Sequence, residues 1–268
     1  MSFLETAVAR RRERVLAEFG SLTGVERSVL LRCAREPRPV EDLMIMRDRA
    51  DVCVVAEVKK ASPSEGPIAP GSSASAQARR YAAGGAAALS VLTEPENFGG
   101  SFADLSDVVD AVELPIMCKD IIVDPIQLYM ARASGADAVL LMISVLGAST
   151  PEYIDHAWEL GLGPVLEVAN LDELDLAGSF GAEVIAVNAR DLHTLQVDKE
   201  RQLEVVSEAA SCCDTFVIAA SGINTRADVE AAADAGADAV LVGTSLMRAS
   251  DPEGALRALT GVLKRPKR

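Results

Sequence analysis

Ionisable and amide side chains stand at the ends of several short apolar runs in this sequence. Glu57 and Lys59 close the first run, Lys119 closes the third, Glu167 the fifth and Asn188 the sixth. Alternate side chains of a strand share a face, so Glu57 and Lys59 belong together. Buried charges are costly unless they are paired or used. Lysine and glutamate in one half-buried site have shifted pKa values and exchange protons, which is general acid–base chemistry.

Small residues close the last two apolar runs. These are Ser221-Gly222 after the seventh run and Gly243-Thr244 after the eighth. Small residues let backbone N–H groups approach a ligand, and phosphate docks at these two strand ends in many barrels. The pattern therefore favours a phosphate site. The loop at 61–71 is rich in Pro, Gly and Ser, and its composition fits a mobile lid and a plain surface loop equally.

The apolar runs alternate regularly with helical segments. Strands are predicted at 52–58, 88–92, 115–118, 138–143, 164–168, 184–187, 215–219 and 239–242. Helices are predicted at 75–83, 102–111, 125–134, 151–160, 172–180, 199–210, 226–235 and 253–263. Continuous apolar runs are typical of parallel strands covered on both faces. The motif GADAV occurs twice, at 135–139 and 236–240, as expected of a repeated unit. Together these features predict an α/β fold, a (β/α)8 or TIM barrel, with a doubly wound open sheet as the alternative.

The barrel does not account for the whole chain. Two further helices are predicted at 3–19 and 24–35. We therefore divide the chain into an N-terminal helical extension at 1–50, a catalytic barrel at 51–263 and a basic tail at 264–268. The extension would cap one barrel mouth, and the tail would be a solvated, frayed end.

Composition narrows the class of partner. The 268 residues are 49 % apolar and carry a net charge of −14. That charge argues against binding of nucleic acid or anionic membranes, and no apolar run is long enough to span a bilayer. The five cysteines form no zinc pattern, so we expect no metal and a reduced, cytoplasmic protein in which Cys212 and Cys213 are free thiols. His156 and His193 are interpreted as structural.

Seven segments carry a family resemblance. They resemble signatures of the indole-3-glycerol-phosphate synthase family: AEVKKASPSEG (56–66), SVLTEPENFGGS (90–101), LPIMCKDIIVDPIQLYMARASGADAVLL (114–141), VLEV (165–168), AVNARDLHTLQVD (186–198), ASGINTRADV (220–229) and GADAVLVGTSLMRASDP (236–252). The resemblance runs in one register from the first predicted strand to the last helix. The first 50 residues match poorly.

The resemblance implies a carboxy-lyase of tryptophan biosynthesis that works without a cofactor. Such an enzyme converts 1-(2-carboxyphenylamino)-1-deoxyribulose 5-phosphate to indole-3-glycerol phosphate, releasing CO2 and water. Lys119 would protonate the ribulose carbonyl, while Glu167 and Asn188 would orient or stabilise the intermediate. Glu57 and Lys59 would serve the dehydration, with Lys59 also near the phosphate.

The resemblance also implies residues that bind the substrate. Arg190 would face the substrate carboxylate, and Ser221 would belong to the polar set. The slot for the aromatic ring would be lined by Pro63, Phe98, Leu140, Leu192 and Leu195. The phosphate would be held by Ser62, Gly222, Gly243 and Thr244. We expect Lys59, Lys60, Lys119 and Arg190 to give the mouth a positive field, and the protein to be a monomer or weak homodimer.

The sequence departs from the family pattern at three positions. Ala220 stands where the family usually has glutamate, Glu65 where it has lysine or arginine, and Ile121 where it has an aromatic residue. These departures keep open a paralogue that acts on a related aryl-amino ketose phosphate in specialised metabolism. A third reading is a catalytically silent barrel that binds phosphorylated sugars.

Overall fold

Eight parallel strands form a closed barrel in the computed structural model, which describes residues 2–33, 35–38, 45–69, 71–211 and 215–265. The strands are β1 Cys53–Val58, β2 Ala88–Leu92, β3 Ile116–Lys119, β4 Ala138–Met142, β5 Gly163–Val168, β6 Val184–Asn188, β7 Phe216–Ala220 and β8 Ala239–Val242. Each strand pairs with its neighbours in chain order, and β8 pairs with β1. The (β/α)8 barrel is thus confirmed over the open sheet.

The first helices precede β1, and the later ones follow the strands around the barrel. They are α1 Phe3–Phe19, α2 Gly24–Cys33, α3 Ala74–Gly84, α4 Phe102–Val109, α5 Ile126–Ala133, α6 Ile143–Leu146, α7 Thr150–Glu159, α8 Leu171–Ser179, α9 Lys199–Ser211, α10 Arg226–Asp234, α11 Thr244–Arg248 and α12 Pro252–Arg257. The short α6 and α11 are absent from the sequence prediction. The predicted helix at 253–263 is too long, because α12 ends at Arg257 and Gly261 adopts a φ of 73°. None of the helices described here is long and apolar enough to cross a membrane.

The repeated Gly-Ala-Asp motif has the same structure in both copies. Gly135 and Gly236 follow helices with φ of 88° and 98°, a conformation that glycine adopts at little cost. Asp137 and Asp238 are buried, and each accepts a hydrogen bond of 2.9 Å from a backbone N–H of the preceding strand. The motif thus ends a helix, begins a strand and ties it to its neighbour.

Two apolar layers surround the sheet. Side chains such as Leu89 and Val187 pack outward against the helices, whereas Val55, Leu140 and Ile218 fill the barrel interior. The interior is therefore a packed core, as in other barrels of this type. Residues at the carboxyl ends of the strands line a cavity.

Segments outside the barrel contact both of its ends. At the carboxyl end of the strands, the N–H of Leu4 in α1 donates to the carbonyl of Leu192 at 3.2 Å. At the opposite end, Lys264 Nζ donates to the carbonyls of Met46 and Arg47, each at 2.9 Å. The prediction of a frayed tail is therefore wrong for Lys264. Residues 266–268, Cys212 and Cys213 lie outside the described residues.

Candidate active site

A cavity of about 740 Å³ opens at the carboxyl ends of the strands. The residues predicted to be catalytic or to bind substrate or phosphate all line it: Glu57, Lys59, Ser62, Pro63, Phe98, Lys119, Leu140, Glu167, Asn188, Arg190, Leu192, Leu195, Ser221, Gly222, Gly243 and Thr244. The barrel brings them together because parallel strands in a closed sheet end at one rim.

Glu57 and Lys59 form an ion pair inside this cavity. Lys59 Nζ lies 2.7 Å from Glu57 Oε1, and both side chains are largely buried. Strand alternation places both on the inner side of β1, as the sequence predicts. The pair satisfies two charges that would otherwise be costly to bury.

Lys119, Glu167 and Asn188 form a second polar chain across the ends of β3, β5 and β6. Lys119 Nζ donates to Glu167 Oε2 at 3.1 Å, and Asn188 Nδ2 donates to Glu167 Oε1 at 3.1 Å. Burial acts to lower the pKa of Lys119, but the negative charges of Glu167 and Glu57 outweigh it and raise that pKa above its ordinary value. Lys119 is therefore an ammonium group at neutral pH.

The backbone lies close to the cavity where β7 and β8 end. Ser221 and Gly222 have successive positive φ values of 68° and 75°. A Cβ atom at Gly243 would lie 2.5 Å from Glu57 Oε1, so any other residue would displace that carboxylate. The hydroxyl of Ser62 is buried and has no hydrogen-bond partner within the described ranges. The Ser62 hydroxyl and the backbone N–H groups of the turns after β7 and β8 are therefore polar groups that could bind a ligand.

The charge of the mouth differs from the expectation. Lys60 turns away from the cavity and pairs with Asp104 on α4 at 2.6 Å. Within the described part of the chain, four basic residues line the cavity: Lys59, Lys119, Arg190 and Lys199. Seven acidic residues from the same part line it as well: Glu57, Glu65, Glu94, Asp120, Glu167, Asp198 and Glu200. The expectation that basic residues outnumber acidic ones at the mouth is therefore wrong. An anionic ligand would have to be bound by individual basic side chains and backbone N–H groups, and not by a net positive charge of the cavity.

Several cavity residues escaped the sequence interpretation. Phe3, Leu4, Glu94, Asp120 and Lys199 all line the cavity. Glu94 is buried, which raises its pKa, and it accepts from the backbone N–H groups of residues 96, 97 and 98, so it shapes the loop that carries Phe98. Glu94 lies within a family-like segment, so that motif could have indicated it, whereas nothing in residues 1–50 pointed to Phe3 or Leu4.

The three departures from the family pattern all face this cavity. Ala220 pairs with Asn188 across β7 and β6, and Ile121 lines the wall just after β3. Glu65 lies in the loop after β1 and pairs with Arg248 at 2.5 Å. Differences at these positions therefore bear directly on what the cavity binds.

The fold and the cavity define a (β/α)8-barrel protein with paired lysine and glutamate residues at the carboxyl ends of its strands. Among solved structures, the chain is similar to 3-hexulose-6-phosphate synthase (TM-score 0.63, 16 % identity, covering 78 % of this chain and 98 % of that one). It is also similar to thiamine phosphate pyrophosphorylase from Pyrococcus furiosus (TM-score 0.58, 18 % identity, covering 78 % and 93 %). At these identities the likeness shows the fold alone.

The sequence itself places the chain within a family. Residues 4–259 match the family model described as indole-3-glycerol phosphate synthase. The chain is 40 % identical to the indole-3-glycerol phosphate synthase of Leifsonia xyli over 260 residues, covering 97 % of this chain and 95 % of that protein. It is 42 % identical to indole-3-glycerol phosphate synthase 1 of Streptomyces coelicolor over 234 residues, covering 87 % and 86 %. The chain belongs to the indole-3-glycerol phosphate synthase family.

Proposed function

We propose that this protein is an indole-3-glycerol-phosphate synthase, a carboxy-lyase of tryptophan biosynthesis. Its substrate would be 1-(2-carboxyphenylamino)-1-deoxyribulose 5-phosphate. The observation that carries the proposal is the hydrogen-bonded network of Lys119, Glu167 and Asn188 in the cavity of a protein of this family. No cofactor enters the proposed reaction.

Lys119 serves the ring closure. The ring carbon that bears the carboxylate attacks the ribulose carbonyl carbon, and a carbon–carbon bond forms while the carbonyl oxygen takes a proton. Lys119 supplies that proton and places a positive charge beside the developing oxyanion. The attack leaves a cationic iminium in the substrate. Glu167, fixed by Lys119 and Asn188, places negative charge where it offsets that cation.

Decarboxylation and dehydration follow from the same intermediate. The bond to the carboxylate breaks, CO2 leaves, and its electron pair neutralises the iminium. The new hydroxyl then departs as water after it takes a proton, and a base removes the adjacent hydrogen to complete the indole. The Glu57–Lys59 pair, at 2.7 Å, holds both an acid and a base for this step.

The remaining cavity residues would bind the two ends of the substrate. Arg190 lines the cavity, held by its Nη1 donating to the carbonyl of Leu195 at 2.8 Å, and would face the substrate carboxylate. Lys59, Ser62, Gly222, Gly243 and Thr244 would hold the phosphate. Ser221 would bind the substrate, and the apolar residues Pro63, Phe98, Leu140, Leu192 and Leu195 would enclose the aromatic ring.

The wider setting of the protein is part of the proposal. We place it in the cytoplasm as a monomer or weak homodimer with a small phosphorylated substrate and no nucleic-acid partner. The divisions at residues 1–50, 51–263 and 264–268 remain our assignment of an extension, a catalytic barrel and a basic tail.

A second candidate function rests on Ala220. This residue lines the cavity next to Asn188, where the family pattern has a glutamate. A barrel that lacks this carboxylate could be a paralogue that acts on a related aryl-amino ketose phosphate. The retained set of Glu57, Lys59, Lys119, Glu167 and Asn188 argues against a catalytically silent barrel.

The direct test is a turnover assay with the purified protein. The carboxyphenylamino-deoxyribulose phosphate is added, and the fluorescence of the indole product is followed. Formation of that product supports the synthase. No product at high enzyme concentration would refute it, and turnover of a different aryl-amino ketose phosphate would then support the paralogue.

A further inference from the structure

A fully buried ion pair joins the N-terminal helix to the end of β3. Arg11 lies in the middle of α1 and is 2 % exposed. Its guanidinium contacts Asp120 at two points, Nε to Oδ1 at 2.9 Å and Nη2 to Oδ2 at 2.6 Å. Asp120 is the residue immediately after Lys119. The pair thus connects a helix outside the barrel to the backbone of the proposed general acid.

The Asp120 carboxylate is the centre of a larger network around Lys119. Its Oδ2 accepts from the hydroxyl of Thr93 and its Oδ1 from the N–H of Ile121, both at 2.8 Å. The N–H of Thr93 in turn donates to the carbonyl of Lys119 at 3.0 Å. The carbonyl of Lys119, through Thr93, and the N–H of Ile121, directly, are therefore tied to one carboxylate, and Arg11 is the cation that pairs with this carboxylate.

Stability alone is a weak explanation for such a pair. Burying two charges carries a large desolvation cost, and an apolar pair of similar volume often gives equal or greater stability. On the same helix, Arg14 pairs with Glu18 in the ordinary way, with both side chains over a third exposed. Arg11 differs because its partner, Asp120, follows Lys119 directly in the chain. Asp120 also lines the cavity.

We infer that Arg11 is a positioning residue for Lys119: through Asp120 it fixes the β3 terminus so that the Lys119 ammonium meets Glu167 and the substrate carbonyl. This inference rests on the proposed function. A group held rigidly by its neighbours keeps the geometry that proton transfer needs, and a displacement of about 1 Å can lower a rate about a hundredfold.

The test compares substitutions at two arginines of α1. We expect Arg11→Met to lower kcat about tenfold to a hundredfold while KM changes less than about threefold, because the acid is displaced and the binding groups stay. Arg14→Met is the matched control, since it removes an exposed charge from the same helix, and its kcat should equal that of the unmodified protein. Arg11→Lys keeps the charge but loses the two-point contact, so its kcat should fall between the two.

Chemical rescue separates positioning from packing. Guanidinium at millimolar concentration should restore part of the kcat of Arg11→Ala, whereas urea at the same concentration should not. A general loss of packing would respond to neither. If Arg11→Met and Arg11→Ala do not fold, the Arg11→Lys variant becomes the test of the inference. A kcat of Arg11→Lys equal to that of the unmodified protein would then overturn the inference.

A structural measurement makes the inference independent of turnover. A crystal structure of Arg11→Met should show Lys119 Nζ displaced from Glu167 Oε2, which it contacts at 3.1 Å in the unmodified protein. An unchanged contact, or an unchanged kcat in a folded Arg11→Met protein, contradicts the role of Arg11. Absence of turnover in the unmodified protein contradicts the proposed function instead, and the crystal structure still decides about Arg11.

Discussion

The substitution Gly243→Ala should lower the activity of this protein strongly and its stability only slightly. The added Cβ would lie 2.5 Å from Glu57 Oε1 and 3.1 Å from Lys59 Nζ. Ordinary contact begins at 3.4 Å, so the Glu57 carboxylate must move by about 3.4 − 2.5 = 0.9 Å. The φ of Gly243 is −125°, so alanine at this position does not have to adopt the left-handed conformation.

The two effects of this substitution differ in size. The clashing oxygen is at the end of a rotatable side chain, so relief is easy and the free energy of unfolding should fall by only about 1 kcal/mol. A catalytic group displaced by nearly 1 Å can lose about a hundredfold in rate, which corresponds to about 2.7 kcal/mol of activation free energy. We therefore expect kcat to fall by one to two orders of magnitude while the melting temperature falls by about 2–4 °C.

Steady-state kinetics and thermal unfolding test this expectation together. The matched control is Gly178→Ala in α8, where an added Cβ meets nothing within 4 Å. That variant should keep its kcat and gain stability, since alanine is the better helix former. A Gly243→Ala protein with kcat within twofold of the unmodified value would refute the placement of the Glu57–Lys59 pair in the reaction.

Three further substitutions test other parts of the account. Lys119→Ala should lower kcat by about 10²–10⁴-fold without loss of the folded circular-dichroism spectrum, since a general acid is removed; retained turnover would exclude Lys119 from that role. Ala220→Glu should raise kcat on the carboxyphenyl substrate if that substrate is the natural one, and a lower rate in the same assay would favour the paralogue. Asp228→Asn should lower the stability measured by urea unfolding at pH 7. Burial acts to raise the pKa of Asp228, but hydrogen bonds from Lys199, Asn224 and Thr225 outweigh it and lower that pKa to about 2. The ionised carboxylate therefore stabilises the fold above its ordinary pKa of 3.8, and the difference between Asp228→Asn and the unmodified protein should shrink as the pH falls from 4 towards 2; a constant difference would contradict this.

Strand ends in a barrel explain why the catalytic candidates could be predicted to meet, whereas loop residues such as Pro63 and Phe98 were expected only from the family resemblance. Once eight apolar runs are placed in one closed sheet, the residue after each run lies on the same rim, and alternation fixes which side it faces. Glu57 and Lys59 meet for this reason. The same rule turns Lys60 outward to Asp104, so the expectation that Lys60 faces the mouth neglected the alternation.

Nothing in the sequence indicated which residues outside the barrel contact it. Arg11 and Asp120 are 109 positions apart, and no periodicity links them. Phe3 and Leu4 reach the cavity because α1 lies across the mouth, a placement set by packing. The charge balance of the cavity was likewise mistaken, since acidic residues such as Glu94 and Glu200 come from loops and helix starts that the strand rule does not cover.

The central claim is that the residues of this cavity catalyse formation of an indole ring, with release of the substrate carboxylate as CO2. Substrate labelled with carbon-13 in its carboxylate tests this most directly, because the label can leave only as CO2. We expect labelled CO2 and unlabelled indole-3-glycerol phosphate in equal amounts from the unmodified protein, and both to form about 10²–10⁴-fold more slowly with Lys119→Ala. Label that stays in the organic product, or a substrate left intact by the unmodified protein, would contradict the claim.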